Sequence, residues 1–271
     1  MSLNPLSNYF RQAALHIELP SNGEHYPEGA LEKTQDGKYP VLPMTSQDEI
    51  LYKTASTLLN NTVIVNLIES CIPNIKNAKE MPVIDVDKAL IAIKIASFGT
   101  TATISAICPE CEHKQTESID LNKLISSIAS PDYSKPIEFK DLKIYLHPPS
   151  YDTMTDGLDI SNIDTEILAI VNNDKEPDSA KVEALSKFLG RLTDTTKKAI
   201  TGNIARVVTP KSVVINKEHI SEWLSNCDKQ SFDFIRDAVV EFKAVSEAPP
   251  IAIKCTECGT EYKHNIVLDN T

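Results

Sequence analysis

Apolar residues recur along this chain with two different periods, and the switches between them mark its elements. Leu15, Ile17 and Leu19 alternate, which predicts a strand that ends at Pro20, and "SNG" then turns the chain. Asp36-Gly37 reads as a hairpin turn, followed by an extended "YPVLPM" that Pro40 and Pro43 confine to a sheet edge. The period then becomes helical. Thr45 is a good N-cap, and Asp48 three residues on makes a variant capping box. "NTVIVNLIESC" predicts a short helix stopped before Pro73. "DVDKALIAIKIASFGT" is the clearest helix, with Asp85 expected as its cap, Asp87 in its first turn and Gly99 as its C-terminal left-handed residue. Its apolar positions (Val86, Ala89, Leu90, Ile91, Ile93, Ile95) run almost all round, which predicts burial on most sides.

Two segments far apart repeat one pattern. "TATISAICPECEHKQ" and "PPIAIKCTECGTEY" each place alternating apolar residues before a Cys-x-x-Cys pair: Ile104 and Ala106 before Cys108 and Cys111, Ile251 and Ile253 before Cys255 and Cys258. Beyond the cysteines, Ile119 and Ile266 share an offset, as do Leu121 and Leu268. Each copy reads strand, knuckle, strand, an imperfect repeat of about twenty residues with a large insertion between the copies.

Within the insertion, "LNKLISSIA" predicts a short amphipathic helix and "KPIEFKDLKIYLHPPS" a hairpin turning at "KD", with Ile144 and Leu146 on one face. From about Ser150 to Val245 the pattern is mostly helical, in about four to six helices. Val182, Leu185, Phe188, Leu189 and Leu192 lie at helical spacing, and "TKKAITGNIARVV" is expected to continue that period. "NNDKEPDSA" reads as a polar link, and Trp223 and His147 as packing residues. The expected architecture is α+β. It comprises an N-terminal α/β part over 1–98, a split four-cysteine zinc ribbon from 99–121 and 249–271, and a mostly helical insertion over 122–248 with one β-hairpin.

Composition narrows the function classes. Hydrophobic residues at 41% and charged residues at 24% allow a core of ordinary size without staples. A net charge of -11 disfavours nucleic acid and anionic membrane as partners, since both need a cationic footprint. No stretch is long and apolar enough to span a bilayer, and the first twenty residues read as a cytosolic N-terminus rather than a signal peptide. In a reducing compartment, paired cysteines point to metal more than to disulfides. Clustered acids such as "DISNIDTE" lack the length and glycine of a calcium loop, and the isolated Gly157 and Gly190 make no phosphate cradle. Without an acid pair, nucleotide motif or nucleophile constellation, the reading is not an enzyme and no small-molecule substrate.

The chemistry therefore rests on Cys108, Cys111, Cys255 and Cys258. Zinc takes four thiolates in a tetrahedron, a Cys-x-x-Cys knuckle supplies two, and neither knuckle closes a site alone. One shared structural Zn2+ is expected, contributing on the order of 10 kcal/mol to holding the insertion's ends together. Two independent redox pairs are the alternative, although neither sits at the strand-to-helix junction of a βαβ unit. His113 and His264 are near enough in sequence to substitute as ligands. Cys71, closing "VIVNLIESC", is expected in the core, and Cys227 half exposed.

The phrases "IELPSNGEHYPEGAL", "VLPMTSQDEILYKTASTLLNNTVIVNLIESCIPNIK", "IDVDKALIAIKIASFGTTATI" and "CPECEHKQ" run in order over roughly residues 15 to 121, and "CTECGTEY" stands near the end. Together they resemble the baseplate hub assembly proteins of T-even-like contractile-tailed bacteriophages. The resemblance implies a non-catalytic assembly factor or chaperone for hub subunits, with other baseplate hub or tail proteins as partners. It implies action in the host cytoplasm during tail assembly; the alternative is a structural hub component retained in the virion baseplate. It carries over no site beyond the four cysteines.

Overall fold

The structure, a computed structural model, describes residues 5–54, 60–156, 177–246 and 248–264. They divide into two compact units, residues 1–130 with 245–271, and residues 131–244. Both units mix helices with small antiparallel sheets.

In the first unit, β1 (Leu15–Glu18) pairs antiparallel with β2 (Lys38–Val41), and Pro40 sits opposite His16 in a sheet of two strands, where every strand is an edge. The turn at Asp36-Gly37 does not close a tight hairpin, because β2 pairs back to β1 across the whole segment 19–37. That segment is anchored elsewhere: Leu31 bridges to Ile75, and Lys76 donates its backbone N–H to Ala30 (2.8 Å). Helix α1 (Ser46–Thr54) opens with the expected reciprocal box. Asp48 N–H donates to the Thr45 hydroxyl (3.1 Å), and Thr45 N–H donates to the Asp48 carboxylate (2.8 Å). Helix α2 (Asn60–Cys71) ends before Pro73, with Cys71 fully buried; burial pushes its thiol up to about 11, which leaves it unreactive. The sequence reading missed Arg11. Its guanidinium donates to the Pro43 carbonyl (2.8 Å) and the Ser70 carbonyl (2.7 Å) and pairs with Asp48 at 3.3 Å, tying the N-terminal segment to the start of α1 and the end of α2.

Helix α3 (Val83–Phe98) is buried as its all-round apolar pattern predicts. Its start corrects one expectation. Pro82 occupies the N-cap position, and Asp85 lies inside the first turn, fully buried. The Asp85 carboxylate accepts from Ser21 N–H (2.7 Å), the Ser21 hydroxyl (2.5 Å) and the Tyr26 hydroxyl (2.9 Å). Asp85 thus organises the loop after β1 rather than the helix end. In that loop Gly23 adopts φ 71°, and a Cβ there would stand 2.7 Å from the Tyr39 hydroxyl. Gly23→Ala is expected to cost about 1–3 kcal/mol, read as a lowered urea midpoint with unchanged slope. At the other end of α3, Gly99 has φ 95° and ψ -173°, a glycine-only conformation rather than the left-handed helical one.

From Gly99 the chain enters a hairpin of β3 (Thr101–Ile107) and β4 (Lys114–Asp120), then α4 (Leu121–Ser127). Asp120 caps α4 by accepting from Asn122 N–H. Leu121, Leu124 and Ile128 pack with Ile91 and Ile119, so α4 belongs to the first unit. A second hairpin, β9 (Ile251–Lys254) and β10 (Glu261–His264), returns to this unit at the other end of the chain. Ile266 and Leu268 lie outside the described residues.

The second unit holds a four-stranded antiparallel sheet in the order β5 (Ile137–Phe139), β6 (Leu142–Leu146), β7 (Ile204–Val208), β8 (Val213–Val214). The hairpin at Lys140-Asp141 is as expected, with Lys140 at φ 54°. Strand β7 is not: helix α6 (Asp178–Asn203) stops where the helical period was expected to continue. Ile144 on β6 is fully buried, so the strand's second edge needs a backbone partner, and β7 supplies it. Lys217 secures the break by donating to the carbonyls of Thr201 and Ile204. Helices α5 (Tyr151–Asp156), α7 (Lys217–Asn226) and α8 (Lys229–Ser246) complete the unit. Ile144, Leu146, Ile200, Ile204, Val207, Ile220, Leu224 and Ile235 form the core, with Trp223 packed against it. Val182, Leu185 and Leu189 on α6 are 67%, 45% and 51% exposed, so this apolar face is not part of that core. Leading residues of the polar link, 172–176, lie outside the described residues, and Asp178 already belongs to α6.

Candidate metal centre

The two Cys-x-x-Cys turns are built alike. Cys108 N–H donates to the His113 carbonyl (3.0 Å), and Cys255 N–H donates to the Thr260 carbonyl (2.8 Å). Four residues past each first cysteine, Glu112 N–H returns to the Cys108 carbonyl (2.9 Å) and Gly259 N–H to the Cys255 carbonyl (3.0 Å). Both closing residues adopt positive φ, 57° at Glu112 and 75° at Gly259. Each turn therefore points two sulfurs to one side.

The turns face each other. Cys108 and Cys258 sulfurs lie 3.6 Å apart, as do those of Cys111 and Cys255, and all four lie within 4.8 Å of one another. Cys108 and Cys255 are buried while Cys111 and Cys258 face solvent. The separations are far beyond the roughly 2 Å of a disulfide. The two pairs form one cluster, not two separate sites, and that cluster could hold a metal ion. His113 and His264 are not in it.

Gln115 fixes one hairpin on the other. Its side-chain N–H donates to the Lys254 carbonyl (3.1 Å), and its side-chain oxygen accepts from Thr256 N–H (2.9 Å). The carboxamide thereby pairs with the backbone of the second knuckle much as a peptide unit in a ladder would. Gln115 is buried, and the sequence reading passed over it although it stands four residues after Cys111. Beneath the cluster, Ala106 and Ile253 are buried at the shared offset two residues before each first cysteine.

The thiols also shift one another's acidities. The Thr260 hydroxyl, 3.3 Å from the Cys258 sulfur, and the Thr260 N–H hold this thiol down to about 6. Cys111 has a backbone hydrogen bond at His113 that favours its thiolate, yet its contacts with the neighbouring thiols push it up to about 12. Four sulfurs this close share protons rather than all ionise, because adjacent thiolates repel. A bound cation removes that penalty.

Fold and cluster together define an α+β protein in which the middle and the end of the chain meet at four thiols. Residues 16–271 match the family described as T4 bacteriophage base plate protein, and the chain belongs to that family. Searches of curated proteins and of solved structures give no significant match. Among the described residues, no helix is long and apolar enough to cross a membrane.

Proposed function

We propose that this baseplate protein is a non-catalytic assembly factor, a chaperone for subunits of the baseplate hub, and that Cys108, Cys111, Cys255 and Cys258 bind one structural zinc ion. The observation that carries the zinc reading is the cluster itself, while the assembly reading rests on membership of the baseplate family. In a tetrahedral Zn(Cys)4 site, metal–sulfur bonds of about 2.3 Å place sulfurs about 3.8 Å apart; here Cys108–Cys258 and Cys111–Cys255 are each 3.6 Å apart and all four sulfurs lie within 4.8 Å of one another. Four thiolates also leave no open coordination position, which suits structure and not catalysis. The two hairpins then make a split ribbon that clips residues 122–248 at both ends.

Partners are other baseplate or tail proteins, in keeping with the family. We assign the contact to the helical segment, where Val182, Leu185 and Leu189 give α6 an apolar stripe at helical spacing, exposed within its own unit. Such a stripe suits an apolar groove or helix on a hub subunit.

The test is quantitative mass spectrometry of purified particles against infected-cell lysate. An assembly factor is abundant in lysate and absent from particles. A fixed number of copies per particle would instead make the protein a permanent part of the hub.

A further inference from the structure

The two hairpins repeat one plan, and the repeat breaks at one place. Seven residues after the first cysteine of each knuckle stands a residue paired with the buried apolar position two before that cysteine. It is Gln115 opposite Ala106 in the first hairpin and Tyr262 opposite Ile253 in the second. Gln115 bonds across to the other hairpin, whereas the Tyr262 hydroxyl is buried and, among the described residues, has no hydrogen-bond partner. From this asymmetry we infer that Gln115 is the positioning residue of the metal centre: its carboxamide sets the second knuckle in register on the first without help from the ion. The inference rests on the zinc reading above and adds what makes that site ready to close.

The clamp is one-sided for a reason written in the sequence. The carboxamide oxygen accepts from the N–H of Thr256, the residue after Cys255. The corresponding residue after Cys108 is Pro109, which has no N–H to give. A reciprocal clamp from position 262 would therefore lack its donor. At its other end the Gln115 carboxamide donates to the carbonyl of Lys254, so its two bonds bracket Cys255. It also donates to the Glu117 carboxylate (2.9 Å), and an ionised carboxylate only accepts, which fixes the end of the amide that carries nitrogen. Among the described residues, the hydrogen bonds that cross between the hairpins, sulfur contacts aside, all run through this one side chain.

Apolar contact brings the hairpins near each other, since Ile251 packs against the cluster that holds Ile119. Such contact is non-directional and sets no register. The carboxamide does set one, at backbone atoms on either side of a cysteine whose sulfur lies 3.6 Å from that of Cys111. Without the clamp the ion has to order the second knuckle itself, and that cost is subtracted from its affinity.

The experiment compares the full-length wild type with Gln115→Leu, Thr256→Pro and the double variant. Proline suits the position after Cys255, because the turn at Cys108 is built alike and carries one there. Zinc affinity is read by competition with a chromophoric chelator. The ligand set is read from the tetrathiolate bands of cobalt-loaded protein, and the Thr256 amide from hydrogen exchange without metal. Each single variant is expected to bind zinc roughly tenfold more weakly, with unchanged cobalt bands. The double variant should bind like Gln115→Leu alone, since both changes remove the same contact. The Thr256 amide should be protected in the metal-free wild type and exchange faster in Gln115→Leu. The inference is overturned if the variants hold zinc as tightly as the wild type, even with lowered melting, which would leave Gln115 a structural residue only. It is equally overturned if the two losses add, if the cobalt bands change, or if Thr256 exchanges freely in the metal-free wild type. A wild type that takes up no metal would instead remove the zinc reading, and this inference with it.

Discussion

Stripping metal from the purified protein with a strong chelator is expected to lower its melting temperature by roughly 10 °C or more, since a structural zinc supplies several kcal/mol and each kcal/mol shifts a chain of this size by about 2–4 °C. The effect should centre on the first unit. Among the described residues its second hairpin is two strands of four residues each, and such a hairpin is marginal alone. Cys108→Ser together with Cys255→Ser removes one ligand from each knuckle and should reproduce the loss without chelator. The double variant should also abolish binding to hub subunits. Elemental analysis should find one zinc per chain in the wild type and none in the variant. Because protons compete for the thiolates, retention of metal should weaken as pH falls. Protein that carries no metal as purified, melts identically with chelator and binds its partner would sink the zinc reading while leaving the family membership untouched.

A second large effect is expected from Asp85. Burial pushes its carboxyl up to about 6, against the hydrogen bonds from Ser21 and Tyr26 that pull it down. In the unfolded chain the same group ionises near its ordinary 3.8. Between these values the folded protein holds the proton and the unfolded chain has lost it. The contribution of Asp85 to stability is thus fully present below about pH 4 and is lost as pH rises through about 6, a change on the order of 3 kcal/mol. Asp85→Asn cannot ionise and keeps polar atoms facing Ser21 and Tyr26. Denaturant unfolding at pH 4.5 and 7.5 with metal saturating should show the variant gaining on the wild type as pH rises. Asp85→Ala leaves the two buried Ser21 donors and the half-buried Tyr26 hydroxyl without that acceptor and should cost about 3 kcal/mol at either pH. Parallel pH profiles for wild type and Asp85→Asn would remove Asp85 as the titrating group.

The four-thiol cluster was legible because its signal is local twice over. Each knuckle announces itself in four residues, and the shared offsets of Ala106 and Ile253 show that the halves are copies. Nothing comparable announces Asp85. Its sequence context, Asp before an apolar run, is that of an N-cap, and only the return of Ser21 and Tyr26 from 64 and 59 residues away turns it into a buried acceptor. The phrase "LPSNGEHYPEG" is the loop shaped to meet that carboxylate, with Asn22, Gly23, His25 and Gly29 all at positive φ. Arg11 was illegible for the same reason, since its partners at Pro43, Asp48 and Ser70 are distant in sequence. Strand β7 failed differently. Ile204, Val207 and Val208 follow a long helix without a proline, and local pattern favours its continuation. The open edge of β6, set by tertiary structure, overrides that pattern.

The thiol cluster also imposes a schedule on synthesis. Cys111 and Cys255 meet across 144 residues, so the first knuckle leaves the ribosome long before the second exists. At bacterial elongation rates of about 5–20 residues per second, that interval is roughly seven to thirty seconds. Throughout it, the nascent chain exposes two unpaired thiols and an incomplete hairpin end, while the whole of residues 131–244 emerges and can fold. The second knuckle then acts as a completion signal, because a product truncated before Cys255 cannot close the cluster.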